Sequence, residues 1–235
     1  MSAETNNFVF CGRDDEAALW AWRELKRRGR GIELMTADAL AFALRFEHRL
    51  GAGGIDTEMT LADGRLFRAR DAGAVFNRLH SLPDAHLRAA AADRDYALTE
   101  LFALFASWLA ALPGIVWNAA TPAGLCGSTW MPQARWIVLA AQSGFDVEPY
   151  VESDVAMPMP APRRLDSLLV IGDTVLGAVT TKLHASALQL AQHAGLGIAG
   201  IRIDAERGTF HDATPLPDLR IGGSAAIDAL EAALQ

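Results

Sequence analysis

The spacing of apolar residues predicts a chain in which strands and helices alternate. An apolar run from Phe8 to Cys11 ends at Gly12 and predicts a strand. The next segment, from Asp14 to Arg28, carries apolar residues at helical spacing with acids first and bases last, which predicts a helix. Strands that alternate with helices favour a largely parallel sheet with helices on its faces. Further strands are predicted at 31–35, 74–79, 115–118 and 146–152, and further helices at 93–112 and at about 128–143.

Two regions depart from this alternation. From Leu44 to Arg68 the apolar residues recur with period two and residues 62–65 supply a turn, so we predict a small antiparallel hairpin appendage at 44–68. A Pro-rich stretch at 157–164 predicts a linker between an N-terminal domain, 1–156, and a C-terminal domain, 165–235. In the C-terminal domain the pattern predicts two strands around a Gly-Asp turn at 168–179, a helix at 183–193, a β segment at 198–210 and a terminal helix at 223–234.

Composition and charge exclude several classes of function. A chain of 235 residues with 51% hydrophobic residues is sufficient for a packed core. The net charge of -7 is spread along the chain without a basic block, so we expect neither a nucleic acid nor an anionic membrane as partner. Cys11 and Cys126 form no disulfide framework, and we find no secretory signal and no apolar stretch long enough to cross a bilayer. These features predict a cytoplasmic protein.

Four segments, in chain order, carry a resemblance to a known family. AVFNRLHSLP at 74–83 is similar to a strand that ends in Asn/Tyr-Arg, and 115–150 is similar to a strand ending in Asn followed by a helix. LLVIGDTVLGAV at 168–179 and the segment 188–219 are similar to a "VVGD" hairpin and to a closing helix, strand and "E.N..P" motif. Together they resemble the ATP-grasp fold, in the branch of ribosomal-protein glutamate ligases and of macrocyclases that form omega-ester and omega-amide links in peptides. The resemblance implies an α/β protein with an N-terminal pre-ATP-grasp-like, mostly parallel sheet and a reduced C-terminal α+β ATP-grasp-like remnant.

The same resemblance implies that the nucleotide-binding centre is missing. ATP-grasp enzymes hold ATP with lysines, a glycine-rich loop and an acidic hinge, most of which belong to the interval that Val151–Ser167 occupies here without any lysine or glycine. A phosphate cradle requires accessible backbone N–H groups and a cation. The positions that match the magnesium ligands are Arg202, Asp212 and Thr214, and a shift of two residues recruits Asp204. We therefore expect a truncated protein that needs neither ATP nor magnesium, with Asp204 and Asp212 as the remaining candidate metal ligands.

Polar side chains follow two of the predicted strands. Asn77, Arg78 and His80 lie at the carboxyl end of one strand, the edge at which open α/β sheets bind ligands. Asn118 and Thr121 follow another strand and form a second candidate ligand-binding cluster. Arg78 either meets the acidic groups of a ligand or pairs with a buried carboxylate that fastens the hairpin to the sheet. The loop after Asn118 either binds a ligand or caps the next helix.

Two functions remain open at this stage. The first is an ATP-grasp-like pseudoenzyme without ligase activity that serves as a binding or partner subunit, for a peptide-modifying enzyme or as half of a homodimer. The second is a ligase-related peptide-modifying enzyme that binds its acceptor in a cleft at Arg78 and uses a separate ATP-binding chain. No catalytic group is identified, since Cys126 has no neighbouring base in the sequence. Trp130 and Met131, at the start of a predicted helix, are candidates for a contact surface for a protein or peptide partner.

Overall fold

The computed structural model describes residues 6–52, 54–84, 90–153, 164–178 and 180–234, and these form an α/β fold. The described strands are β1 (Asn6–Cys11), β2 (Ile32–Thr36), β3 (Arg45–Gly51), β4 (Gly54–Thr60), β5 (Leu66–Arg68), β6 (Ala72–Arg78), β7 (Val116–Trp117), β8 (Leu165–Ile171), β9 (Thr174–Leu176), β10 (Ile198–Asp204) and β11 (Phe210–Thr214). The described α-helices are α1 (Glu16–Arg27), α2 (Ala37–Ala41), α3 (Arg94–Ala110), α4 (Gln133–Gln142), α5 (Thr181–His193) and α6 (Gly223–Ala232). No described helix is long and apolar enough to cross a membrane.

The N-terminal half is built on a parallel sheet, as the sequence predicts. Its strand order is β2-β1-β6-β7, and every neighbouring pair runs parallel. The chain leaves β1 towards β2 on one side and returns to β6 on the other. The carboxyl ends of β1 and β6 therefore flank a topological switch point, where open α/β sheets leave a crevice.

The predicted appendage is an antiparallel sheet of three strands, in the order β3-β4-β5. It packs on α3 through an apolar core that includes Met59, Phe67 and Trp108. His48 adds a polar contact, because Nδ1 lies 2.7 Å from Oγ1 of Thr57 and Nε2 lies 3.0 Å from Oγ of Ser107 on α3. The appendage is therefore fixed to the body of the protein by both apolar and polar contacts.

A second sheet, antiparallel and in the order β11-β10-β8-β9, forms the C-terminal half. One face packs against α4 and α5. The other face contributes Leu169, Ile171 and Ile198 to a core that also contains Val9 and Phe76 from the parallel sheet, together with apolar residues of α1 and α6. The two halves thus share a buried core, and the domain boundaries at 156 and 165 stay predictions. The predicted Pro-rich linker, 157–164, lies outside the described residues except for Arg164.

Two sequence predictions in this half were wrong in detail. The strand predicted at 146–152 is reduced to a single bridge between Val147 and Phe210, because Pro149 has no N–H to continue a ladder. The helix predicted from Ser128 begins only at Gln133, because Pro132 in an extended conformation interrupts the helical geometry before it.

Candidate functional site

A polar cavity of about 400 Å³ lies at the switch point of the parallel sheet. It is bounded by the segments that follow β1 and β6 and by the start of α2. The side chain of His80 is exposed and lines this cavity, while a ligand-binding role for it stays a prediction. The residues that give the cavity its chemistry are Gly12, Arg13, Asp14, Asp38, His80 and Ser81.

The charges around this polar cavity do not cancel. Asp15 caps α1, since its Oδ1 accepts from the backbone N–H of Ala18 at 3.0 Å, and its carboxylate also binds Arg78. Nη1 of Arg13 lies 3.8 Å from Oδ1 of Asp38, which makes a second ion pair. Among the described residues Asp14 forms no ion pair, so one carboxylate remains without a counter-charge. The N-terminus of α1 already holds its own carboxylate, and the cavity therefore favours a cationic group over a phosphate.

Arg78 lies beneath this edge rather than in the open cavity. Its side chain is only 4% exposed. It forms a bidentate ion pair with Asp15, in which Nε lies 2.7 Å from Oδ2 and Nη2 lies 3.1 Å from Oδ1. Arg78 is thus a buried arginine paired with a carboxylate, but the partner lies at the start of α1 and not on the hairpin appendage, so the expected attachment of the hairpin was wrong. Nη1 is buried and has no hydrogen-bond partner among the described residues, which leaves one nitrogen of the guanidinium, with its two N–H groups, unused.

Asn77 is engaged by the protein itself. Its amide Nδ2 donates to the carbonyl oxygens of Asn118 and Leu125 at 2.9 and 2.7 Å, and its Oδ1 accepts from the backbone N–H of Leu79 at 3.1 Å. A buried amide with these partners connects β6 to the loop that follows β7. The side chain therefore has a structural task in the described fold.

Asn118 joins the two sheets. Its Nδ2 donates to the carbonyl oxygens of Ile198 and Pro215 at 2.8 and 2.9 Å, while its Oδ1 accepts from the N–H groups of Gly197 and Ile198 at 3.0 and 2.9 Å. The backbone has a φ of 57°, a left-handed conformation that asparagine tolerates better than most residues. Asn118 is thus a buried connection between the end of β7 and the start of β10.

Thr121 and Cys126 complete the same loop. The hydroxyl of Thr121 donates to the carbonyl oxygen of Gly127 at 2.7 Å and accepts from the N–H of Ala123 at 3.1 Å. The Cys126 thiol is buried and donates to the carbonyl oxygen of Asn77 at 3.1 Å. Burial raises the pKa of Cys126 to about 12, so the thiol stays protonated and inert at neutral pH.

A second, apolar cavity of about 530 Å³ adjoins the polar one. It lies between α3 and the loop that precedes α4, and it shares His80, Ser81 and Leu82 with the polar cavity. Trp130 is 54% exposed and its ring stacks on Phe102 with the centroids 4.7 Å apart. The sequence predicts Trp130 as a contact residue but contains no signal for the cavity, whose walls include Leu98, Leu101, Phe102, Leu125 and Trp130.

The candidate metal ligands do not form a metal site. Arg202 and Asp212 are cross-strand neighbours on β10 and β11. They form a bidentate ion pair, in which Nε of Arg202 lies 2.7 Å from Oδ1 of Asp212. Oδ1 of Asp204 accepts from the backbone N–H groups of Glu206 and Arg207 at 2.9 and 3.0 Å, and this carboxylate closes the turn between the strands. No group of three or more His, Cys, Asp or Glu side chains that could hold a metal occurs within the described part of the chain. A hard cation needs several oxygen ligands, and these residues do not fit one.

Comparison with known proteins gives matches in structure only. No protein-family profile and no curated protein matches the sequence. The macrocyclase MdnC from Microcystis aeruginosa MRC, bound with precursor peptide MdnA, superposes with a TM-score of 0.74 at 11% identity, covering 98% of this chain and 100% of that chain. The ATP-grasp ligase PsnB, complexed with a phosphomimetic variant of minimal precursor, Mg and ADP, superposes with a TM-score of 0.72 at 16% identity over 100% of both chains.

A third match comes from a further bacterial ligase. A RiPP-associated ATP-grasp ligase from Chryseobacterium gregarium, in complex with ADP and with a leader and core peptide, gives a TM-score of 0.70 at 9% identity over 97% of each chain. Superpositions that span both chains confirm the architecture that the sequence resemblance implies, while the loss of a central lobe stays a prediction. At these identities the likeness concerns the fold, and the chain has an ATP-grasp-like fold.

Proposed function

We propose that the protein is an ATP-grasp-like subunit without ligase activity that binds a peptide partner, in a peptide-modifying system. The observation that carries this proposal is the ion pair between Arg202 and Asp212. It occupies the positions that the family resemblance assigns to magnesium ligands, and it presents a guanidinium where the cation of an ATP complex would need an oxygen anion.

The second carboxylate of that region supports the same proposal. Asp204 is 6% exposed and its Oδ1 is engaged by two backbone N–H groups of its own turn. To bind a divalent cation through this oxygen, the protein would have to give up the hydrogen bonds that hold the turn. Asp212 would likewise have to leave Arg202. Each loss opposes metal binding, because buried or paired carboxylates resist separation from their partners.

A peptide partner is supported by the structural neighbours and by the cavities. MdnC and the Chryseobacterium gregarium ligase have been determined with peptides bound, and PsnB with a minimal precursor. In this chain, a polar and an apolar cavity meet at the carboxyl edge of the parallel sheet. Two of those neighbours also carry ADP, so the absence of nucleotide chemistry requires its own experiment.

The test is ATP turnover by the purified chain. We expect ADP formation in the presence of ATP, magnesium and peptide to stay at the level of the buffer. Asp204→Asn and Asp212→Asn serve as matched variants, since each removes one of the two carboxylates that a magnesium ion would need. Turnover above background that both variants abolish would overturn the proposal.

The second candidate function, an enzyme that uses a separate ATP-binding chain, has one observation in its favour. Nη1 of Arg78 is a buried donor without a partner among the described residues, at the edge of the sheet where ligands bind. Turnover that appears only when a second chain is added, and that Arg78→Lys removes, would favour this alternative. A homodimer remains a further prediction, which light scattering of the purified chain checks directly.

A further inference from the structure

The polar and apolar cavities adjoin each other, and the two together are called the groove. Both are lined by His80, Ser81 and Leu82, the segment that follows β6. One end of the groove is polar and lies at the switch point, and the other end is apolar and lies against α3. A groove with an apolar pocket beside a charged one suits an extended chain with side chains of two different kinds.

The apolar end has the features of an anchor pocket. Its volume of about 530 Å³ lies within the range of ligand pockets. Its walls are mainly apolar, because Leu98, Leu101 and Phe102 of α3 and Leu125 of the loop before α4 line it. The exposed ring of Trp130 stands at the rim of this pocket and offers stacking area to an incoming side chain.

The charge of the groove specifies its occupant further. Asp14 at the polar end forms no ion pair with any described residue, because Arg78 is paired with Asp15 and Arg13 lies beside Asp38. Near the apolar end, Asp95 is exposed one turn before the lining residues Leu98 and Thr99 on α3, and it also forms no ion pair with described residues. A second copy of the chain would bring the same net charge of -7, which disfavours it as the occupant.

We propose that the groove binds a peptide segment in which a large apolar residue lies close to a basic residue. The apolar side chain enters the pocket beside Phe102 and Trp130, and the basic group lies against Asp14. This inference rests on the proposed peptide-binding function and adds the site and the chemistry of the peptide.

The test begins with a library of displayed random peptides selected against the wild-type chain. We expect the selected peptides to share an aromatic or large aliphatic residue near Lys or Arg. Trp130→Ala should weaken their binding by at least about tenfold, since a central aromatic contact is lost. Asp14→Asn should weaken it by about threefold and reduce its dependence on salt. Circular dichroism confirms that each variant is folded.

Two matched controls remove equivalent groups elsewhere. Ile221 is an exposed apolar residue near the antiparallel sheet, and Asp56 is an exposed acid on β4, so Ile221→Ala and Asp56→Asn should bind the peptides as the wild type does. Selected peptides that bind Trp130→Ala and Asp14→Asn unchanged would overturn the groove while leaving peptide binding intact. A library that yields no peptide above background would overturn the proposed function together with the groove. A change in the mass of Trp130→Ala in light scattering, without a change in peptide affinity, would assign the pocket to a second copy and also contradict the proposal.

Discussion

Two polar regions lie at strand ends of the same fold, and they differ in what their side chains contact. Around Asn118 every donor and acceptor of the side chain is used by the backbone of the neighbouring sheet. Around Asp14 the side chains face an open cavity, and one carboxylate is left without an ion pair among the described residues. The first region holds the two halves of the molecule together, and the second is available to a ligand.

The difference shows that residue type alone does not separate the two roles. Asn77, Asn118 and Thr121 have the composition of a binding site, yet the protein itself occupies their hydrogen-bonding groups. A buried polar group whose hydrogen bonds are all made within the protein stabilises the fold. Its removal leaves its buried partners without hydrogen bonds and lowers the free energy of unfolding. Substitutions in each region test this difference.

Arg78 should give the largest loss of stability. Arg78→Ala leaves the carboxylate of Asp15, whose side chain is only 12% exposed, without its ion-pair partner, and we expect the free energy of unfolding to fall by about 3–5 kcal/mol. Arg78→Lys should retain part of this stability, because lysine keeps the positive charge but cannot form the bidentate ion pair with Asp15. Urea unfolding followed by circular dichroism measures both. A loss below about 1 kcal/mol for Arg78→Ala would show that the ion pair is not structural.

Asn118 should give the next largest effect. Asn118→Ala leaves buried N–H and carbonyl groups of Gly197, Ile198 and Pro215 without partners, and we expect a loss of about 3 kcal/mol. Asn118→Gly is the matched control, since it accepts the positive φ but also lacks the amide. If both variants unfold at the wild-type urea concentration, the junction between the sheets does not depend on this side chain.

His48 should make the stability depend on pH. Burial lowers the pKa of His48 in the folded chain, so the unfolded chain binds more protons once the pH falls below the ordinary value of 6.5. Stability from the contacts with Thr57 and Ser107 is therefore complete above that pH and is lost as the pH falls through the folded-state pKa. Urea unfolding at pH 7.5 and 5.5 measures this effect. Between these two pH values, the free energy of unfolding should decrease less for His48→Gln than for the wild type. Equal decreases would contradict the prediction.

Asp14 should give the smallest effect on stability. Because its carboxylate forms no ion pair with a described residue, Asp14→Asn should change the free energy of unfolding by less than about 0.5 kcal/mol. Asp15→Asn, one residue away, removes a helix cap and the partner of Arg78 and should be far more destabilising. Similar losses for the two variants would remove the distinction between the open cavity and the internal network.

Much of the fold follows from local patterns, and the site does not. The strand predicted at 74–79 and the helix predicted at 93–112 correspond to β6 and α3, because an apolar run marks the first and Pro113-Gly114 ends the second. The partners of Asn118 lie far along the chain, around Ile198 and Pro215, and no local pattern reveals them. Asp14 lies two residues after Gly12 at a strand end, and such a position is a sequence signal for a ligand-binding residue. Its lack of an ion pair, however, depends on the pairing of Arg78 with Asp15 and of Arg13 with Asp38, which the sequence does not show. The apolar cavity likewise arises only when Trp130 meets Phe102.

We propose that the Arg202–Asp212 ion pair takes the place of magnesium ligands in this ATP-grasp-like fold. Isothermal titration of ATP with magnesium into the wild-type chain tests it most directly. We predict no saturable heat, with the same trace in the presence of EDTA. Micromolar binding that depends on magnesium and is lost in both Asp204→Asn and Asp212→Asn would contradict the claim.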